Sequence, residues 1–439
     1  MQAPILFSDL IAETKDGEWG EGQEAPGHVL CDVIRGTDFA SLNAPSLELP
    51  QRWVPEHLVV RKALEADDIL IETAGGTAKQ STGRTALVTK EFLASRGDRP
   101  VLCSSFARHL RVDRDKVQPV YLYYVLQALY VSGYMGVFNL QHTGVARFQF
   151  TAFRTKTRLA LHEKAAQPKI AATLKSYDDL IANNQRRIAL LESMAEEIYR
   201  EWFVRMRFPG YATAAHERGM PLGWQASTAT EMVQVLGGGT PSTEVSQYWG
   251  GDIPFFSPKD SHDGAYCLQT EQSITELGLE NCASRRFPKD TIFITARGTV
   301  GNLVLAGEPM AMNQSCYALV PKIDKKPYFV FAGLRCAVNV IKGVSNSGVF
   351  DNVVMDTFKI IPLINPGFAL RDRYNEVAEP IFEQSLMLRR ANTRLRATRD
   401  ALLPRLISGK LRVDALDIQF PPSMQPPPAE AAPREAINS

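Results

Sequence analysis

Apolar residues recur at alternating steps of three and four in two long stretches of this chain. Leu174, Tyr177, Ile181, Asn184, Ile188, Leu191, Ala195, Ile198 and Trp202 form the first seam; Ile381, Gln384, Leu388, Ala391, Leu395, Thr398 and Leu402 form the second. Such spacing predicts two helices that each bury a narrow stripe. Two seams of one register bury most simply against each other as an antiparallel coiled coil. Ile181, Asn184, Ile188, Leu191, Ile198 and Trp202 would then face Leu388, Leu395 and Leu402, with the polar Asn184 and Gln384 fixing the register. A helix from about Lys169 to Val204 would be on the order of 50 Å long.

The stretches preceding the seams have a different texture. Short β-branched or aromatic runs such as Ile292-Phe293-Ile294-Thr295 and Tyr317-Ala318-Leu319-Val320 are broken by Gly, Pro, Asn and Asp, with helical stretches between them. They also repeat. Asp68-Ile69-Leu70-Ile71-Glu72-Thr73 lines up with Asp290-Thr291-Ile292-Phe293-Ile294-Thr295, and Asp38 with Asp260, both at an offset of 222; Tyr121-Leu122-Tyr123-Tyr124 answers Tyr328-Phe329-Val330-Phe331 at 207. The falling offset predicts shorter loops in the second copy. The expected fold class is therefore α/β (α+β): two globular domains in tandem, 1–158 and 217–368, separated by helical spacers, 159–210 and 369–413. Residues 414–439, rich in proline from Pro421, are expected to be disordered.

Composition narrows the chemistry. The 439 residues include 49 Lys plus Arg against 48 Asp plus Glu, so bulk charge announces no polyanionic partner and any basic footprint is local. Cysteines 31, 103, 267, 282, 316 and 336 make no C-x-x-C pair and fall at no zinc-ligand spacing with histidine, which predicts reduced thiols and no metal site. With no basic, then apolar leader and no long apolar run, the expected location is the cytoplasm. H-E-x-x-H, G-x-S-x-G and the Walker A pattern are absent. Ala74-Gly75-Gly76-Thr77-Ala78-Lys79 lacks the second glycine of a phosphate loop, and Pro241 turns Gly237-Gly238-Gly239-Thr240 away from a dinucleotide loop. No catalytic residues are expected.

Two heads on helices suit either a DNA reader with two half-sites or a scaffold that holds two proteins. Loop chemistry favours DNA. Arg35, Lys79, Gln80, Ser81 and Arg84 lie in or beside turns of the first globe; Lys259, Ser261, His262, Arg297, Asn313, Gln314, Asn346 and Asn352 do so in the second. Arg and Lys match guanine, Asn and Gln match adenine, and Ser and Lys reach phosphates. Asp38 and Asp260 fit turn acceptors better than cytosine contacts.

Several segments together resemble the specificity subunits of Type I restriction–modification systems. Leu402-Leu403-Pro404-Arg405-Leu406-Ile407-Ser408-Gly409-Lys410-Leu411-Arg412-Val413 is similar to the end of that family's second spacer. Arg187 to Ala195, continuing through Trp202-Phe203-Val204, is similar to the end of its first. Gly239-Thr240-Pro241-Ser242-Thr243, with Tyr248-Trp249-Gly250-Gly251-Asp252-Ile253-Pro254, resembles the start of a target-recognition domain, a signature that the first globe lacks. The resemblance implies a non-catalytic chain. Each globe would read half of a bipartite double-stranded DNA site, and the helices would set the spacer and dock two adenine methyltransferase subunits and the restriction/translocase subunits. S-adenosylmethionine, ATP and Mg²⁺ would belong to those partners.

Overall fold

The computed structural model describes residues 2–42, 47–76, 80–142, 145–217, 219–261, 264–344, 353–413 and 416–425. The chain divides into two compact units, Met1–Asn183 with Thr393–Ser439, and Asn184–Asn392.

In the first unit, Ile69–Glu72 is a strand buried at every position, because both faces are covered. Ile69 and Ile71 point into one core and Leu70 into another, as the two-residue period of a strand requires. It is central in a four-stranded antiparallel sheet in the order Ile11–Asp16, Ala107–Val112, Ile69–Glu72, Thr85–Leu87. A second sheet sets His28–Ile34 between antiparallel Gln51–Pro55 and parallel Val101–Cys103. Helix Pro119–Val131, opened by a proline whose missing N–H would have had no helical partner, covers the larger core with Tyr121, Leu122 and Val125.

The second unit repeats this skeleton. Val233–Gly237, Cys316–Pro321, Ile292–Thr295 and Leu303–Ala306 follow the same antiparallel order, extended by Tyr266–Cys267. Trp249–Phe256 lies between antiparallel Gln272–Ile274 and parallel Ala311–Met312. Helix Tyr328–Val344 takes the place of Pro119–Val131. The central strands correspond at 223 residues, one more than the expected alignment: Ile69 pairs with Leu87 and Leu110, and Ile292 pairs with Leu305 and Leu319. Asp67 and Asp290, both left-handed at φ 71° and 68°, are the true counterparts, so Asp68 answers Thr291. The sequence matched one aspartate of a neighbouring pair where the backbone uses the other.

The two long helices run Gln167–Tyr199, continued by a π turn Arg200–Val204, and Phe368–Ile407. Within the second unit they pair antiparallel: Asn184 Nδ2 donates to Asn392 Oδ1 at 2.9 Å, while Glu192 Oε1 accepts from Ser385 Oγ (2.7 Å) and Arg389 (2.8 Å). Within the first unit Asp178 meets Arg399 and His162 meets the Ile407 carbonyl. The first seam faces inward as expected, with Leu174, Ile181, Asn184, Ile188 and Ala195 buried and Leu191, Ile198 and Trp202 half-buried. The second seam is shifted by one position. Ala378, Phe382, Ser385, Leu386, Asn392 and Leu403 are buried, Leu388, Leu395 and Leu402 are half-buried, and Gln384 and Thr398 are exposed. Phe382 turns the helix: it stacks on Tyr328 at 5.0 Å and meets Phe331 edge-on, burying more surface than Ile381 would. Asn392, not Gln384, therefore partners Asn184.

Gly409 ends the second helix in a left-handed conformation at φ 75°, where a glycine carries no Cβ penalty. Beyond it, where an unfoldable tail was expected to be under way, Pro422–Met424 forms a turn; Met424 packs on the first unit's core and Ser423 contacts Asp179. The prolines preset that turn, and one methionine gives it a foothold. Residues 414, 415 and 426–439 lie outside the described residues. All six cysteines are free thiols. Among the described residues, no helix is long and apolar enough to cross a membrane.

One buried group makes the first unit sensitive to acid. His109 lies opposite Leu70 and Lys15, is 1% exposed, and neither ring nitrogen has a hydrogen-bond partner. Burial holds its pKa below the ordinary value, outweighing the pull of Asp68. The unfolded chain takes up this proton at about pH 6.5 and the folded chain resists it, so the contribution of neutral His109 is complete above that pH and is lost as pH falls below it. Thermal unfolding between pH 7 and pH 5 is expected to show a downward slope that is reduced in His109→Leu. Equal slopes in the two chains would contradict this assignment.

Candidate nucleic-acid interface

In each unit the loops that follow the central strand, the first sheet strand and the parallel pair gather at one edge. In the first unit these are the segments after Asp16, Ile34, Glu72 and Cys103; in the second, those after Gly237, Phe256, Thr295 and Met312. Close backbone contact fixes them. A Cβ on Gly17 would sit 2.1 Å from the Ser104 carbonyl oxygen, and one on Gly238 would sit 2.2 Å from that of Asn313. Gly17 is thus the first unit's counterpart of the glycine-rich start of the second, a correspondence hidden because Glu18-Trp19 stands where Gly239-Thr240 does.

The aspartates singled out in sequence are turn acceptors. Asp38 Oδ2 accepts from the Arg35 backbone N (2.8 Å), and its carboxylate takes two bonds from the Arg35 guanidinium, at 3.0 and 2.8 Å. Asp260 accepts from the Ser257 backbone and hydroxyl (2.8 and 2.7 Å) and from Glu271 N (2.7 Å). Arg35 keeps a half-exposed side chain with its orientation fixed by Asp38. Contact with Asp38 also raises the guanidinium pKa, so the group stays charged.

Other candidates separate by exposure. Arg84 is bound into the fold: it holds both oxygens of Glu72 (2.9 and 2.6 Å) and the Gly36 carbonyl (3.0 Å), and Glu72 is 1% exposed. Ser261 is buried, bonded to the Pro258 carbonyl (2.7 Å) and to the Thr299 hydroxyl (3.0 Å). Asn313 folds its own turn, its side chain accepting from Ser315 N at 3.0 Å. Half-buried Ser81 gives its carbonyl to Tyr130. Gln80, Arg297 and Gln314 are exposed, as is Lys259, with 78% side-chain exposure and a loose 3.5 Å approach to Glu271. Gln314 accepts from the Thr240 hydroxyl. Lys79, His262, Asn346 and Asn352 lie outside the described residues.

The edge also holds residues that loop chemistry alone missed. Lys342, on helix Tyr328–Val344, reaches Asn302 Oδ1 at 3.3 Å beside Gly301. Its position on a helix masked it, and only the fold brings it to the loops. What the edge offers is donors and acceptors on short loops braced by buried carboxylates, the chemistry that reads base edges and holds phosphates.

Comparison with known proteins bears on both units. Residues 221–367 match the family model described as Type I restriction modification DNA specificity domain. The chain is 32% identical over 152 residues to the Type I restriction enzyme MjaIX specificity subunit of Methanocaldococcus jannaschii, covering 34% of this chain and 35% of that protein. It is 26% identical over 195 residues to the HindI specificity subunit of Haemophilus influenzae, covering 44% and 42%. The matched region thus spans less than half the length of either relative. In fold, the chain is similar to the crystal structure of the S subunit of a Type I restriction–modification system from M. genitalium, with a TM-score of 0.54, 15% identity, and 92% and 95% of the two chains covered.

Proposed function

We propose that this chain, whose residues 221–367 match the model of the Type I restriction modification DNA specificity domain, is the sequence-reading subunit of such a system. Each unit reads one half of a bipartite double-stranded DNA site from its loop edge, and the paired helices set the spacing and dock the partners. One observation carries this reading: the strand order and loop edge of the family-matched segment recur in the first unit, which the family model does not cover. A duplicated reader implies a duplicated target.

Chemistry belongs to the partners in this reading. Two methyltransferase subunits hold S-adenosylmethionine, restriction/translocase subunits use ATP and Mg²⁺, and the assembly works in the cytoplasm. Near-neutral charge is compatible with this, since partner subunits supply much of the phosphate contact that dominates affinity. The test is binding by the chain co-purified with an adenine methyltransferase subunit. A DNA reader loses affinity steeply as salt rises and prefers one sequence. A protein scaffold, the rival reading, gives a stable complex with no salt-dependent DNA affinity.

The helical ruler has its own test. Inserting one heptad into both long helices adds about 10 Å, or about three base pairs of duplex. The gap between half-sites should widen by that amount, or assembly should fail; an active complex with unchanged spacing contradicts the ruler.

A further inference from the structure

We propose that Phe106 reads a thymine methyl group in the half-site addressed by the first unit, an inference that rests on the DNA-reading function proposed above. Phe106 is 62% exposed, although it is one of the largest apolar side chains of the unit. Its backbone is held firmly. Ser104 N donates to the Ile34 carbonyl (2.8 Å), Ala107 N donates to the Ser104 carbonyl (2.9 Å), and the Phe106 carbonyl accepts from both Thr73 N (2.8 Å) and Ala74 N (3.2 Å). The backbone from which the ring projects is therefore fixed, in a turn that begins beside the half-exposed, Asp38-anchored Arg35.

The second unit supplies the comparison. There Asn313 N donates to the Phe256 carbonyl (2.9 Å) and Ala296 N to the Ser315 carbonyl (2.8 Å), so Asn313-Gln314-Ser315 is the same turn as Ser104-Ser105-Phe106. In that turn the exposed Gln314 stands where the first unit has Ser105, and half-buried Ser315 stands where it has Phe106, so the phenyl ring is particular to the first unit. Single exposed apolar residues are ordinary on a protein surface, and Val60, Val131 and Val137 of this unit lie on helical turns. Phe106 differs in its place, at the tip of a pinned turn on the edge that holds the reading loops. A phenyl ring has no hydrogen bond to give, and the apolar feature that base edges display in the major groove is the thymine methyl.

The experiment uses the complex with its methyltransferase and duplexes carrying its methylated site. Each thymine is replaced in turn by uracil, which removes only the methyl group. The half-site of the first unit is identified as the one whose reading Arg297→Ala leaves intact. The wild-type complex is expected to lose about fourfold in affinity at one thymine of that half-site, the factor for burying one such carbon. Phe106→Ala should bind the thymine duplex at least that much more weakly, lose its sensitivity to uracil, and unfold at the wild-type midpoint. Three results overturn the assignment: a half-site without thymine, no uracil effect in the wild type, or an undiminished uracil effect in Phe106→Ala. Weakened binding by Phe106→Ala without any uracil effect identifies a wedge between base steps instead. A complex that binds no DNA overturns the underlying function, and with it this role for Phe106.

Discussion

Replacing Arg84 with alanine is expected to destabilise the first unit by about 3 kcal/mol or more, because it strands a buried carboxylate. Glu72 is 1% exposed and takes two of its hydrogen bonds from this one guanidinium, which also spans to the Gly36 carbonyl. For a unit of this size the loss corresponds to a fall of about 6–12 °C in unfolding midpoint. Glu72→Leu combined with Arg84→Met should recover most of it, since apolar replacement of a buried pair is often neutral. A midpoint unchanged in Arg84→Ala, with DNA reading lost, would return Arg84 to the base-contacting residues.

Arg297→Ala is expected to behave in the opposite way. Arg297 is exposed, followed by Gly298 at φ 79°, so its loss leaves the core intact and should move the midpoint little. If it contacts a base, binding to one half-site should weaken by about 1–3 kcal/mol, with relaxed discrimination at a single position. Competition binding with singly substituted duplexes measures both quantities. Uniform weakening at every position would make Arg297 a phosphate contact, and no change would remove it from the interface.

Paired in this way, the two substitutions mark what the sequence could and could not reveal. Loop position made Arg84 and Arg297 look alike. Only the buried Glu72 across the strand distinguishes them, and that carboxylate lies twelve residues from its arginine, invisible to local composition. Periodicity located both long helices, since burial of a stripe is a local property of a helix. It misplaced the face of the second, because Phe382 stacks on Tyr328, a contact made by the fold. The duplication was legible from Asp38 and Asp260, whose shared turn geometry imposes the same residue. It slipped by one at Asp67 and Asp68, where the decisive feature is a left-handed backbone angle. Lys342 and Phe106 gave no signal, as only the fold delivers them to the loop edge.

Mapping adenine methylation across the genome of cells that express this chain with its methyltransferase partner tests the central claim most directly. The prediction is a split motif, two specified blocks around a fixed unspecified gap, that vanishes when the chain is deleted and changes in one block alone with Arg297→Ala. A stable complex that leaves no motif, or a motif without a gap, would contradict a reader with two heads.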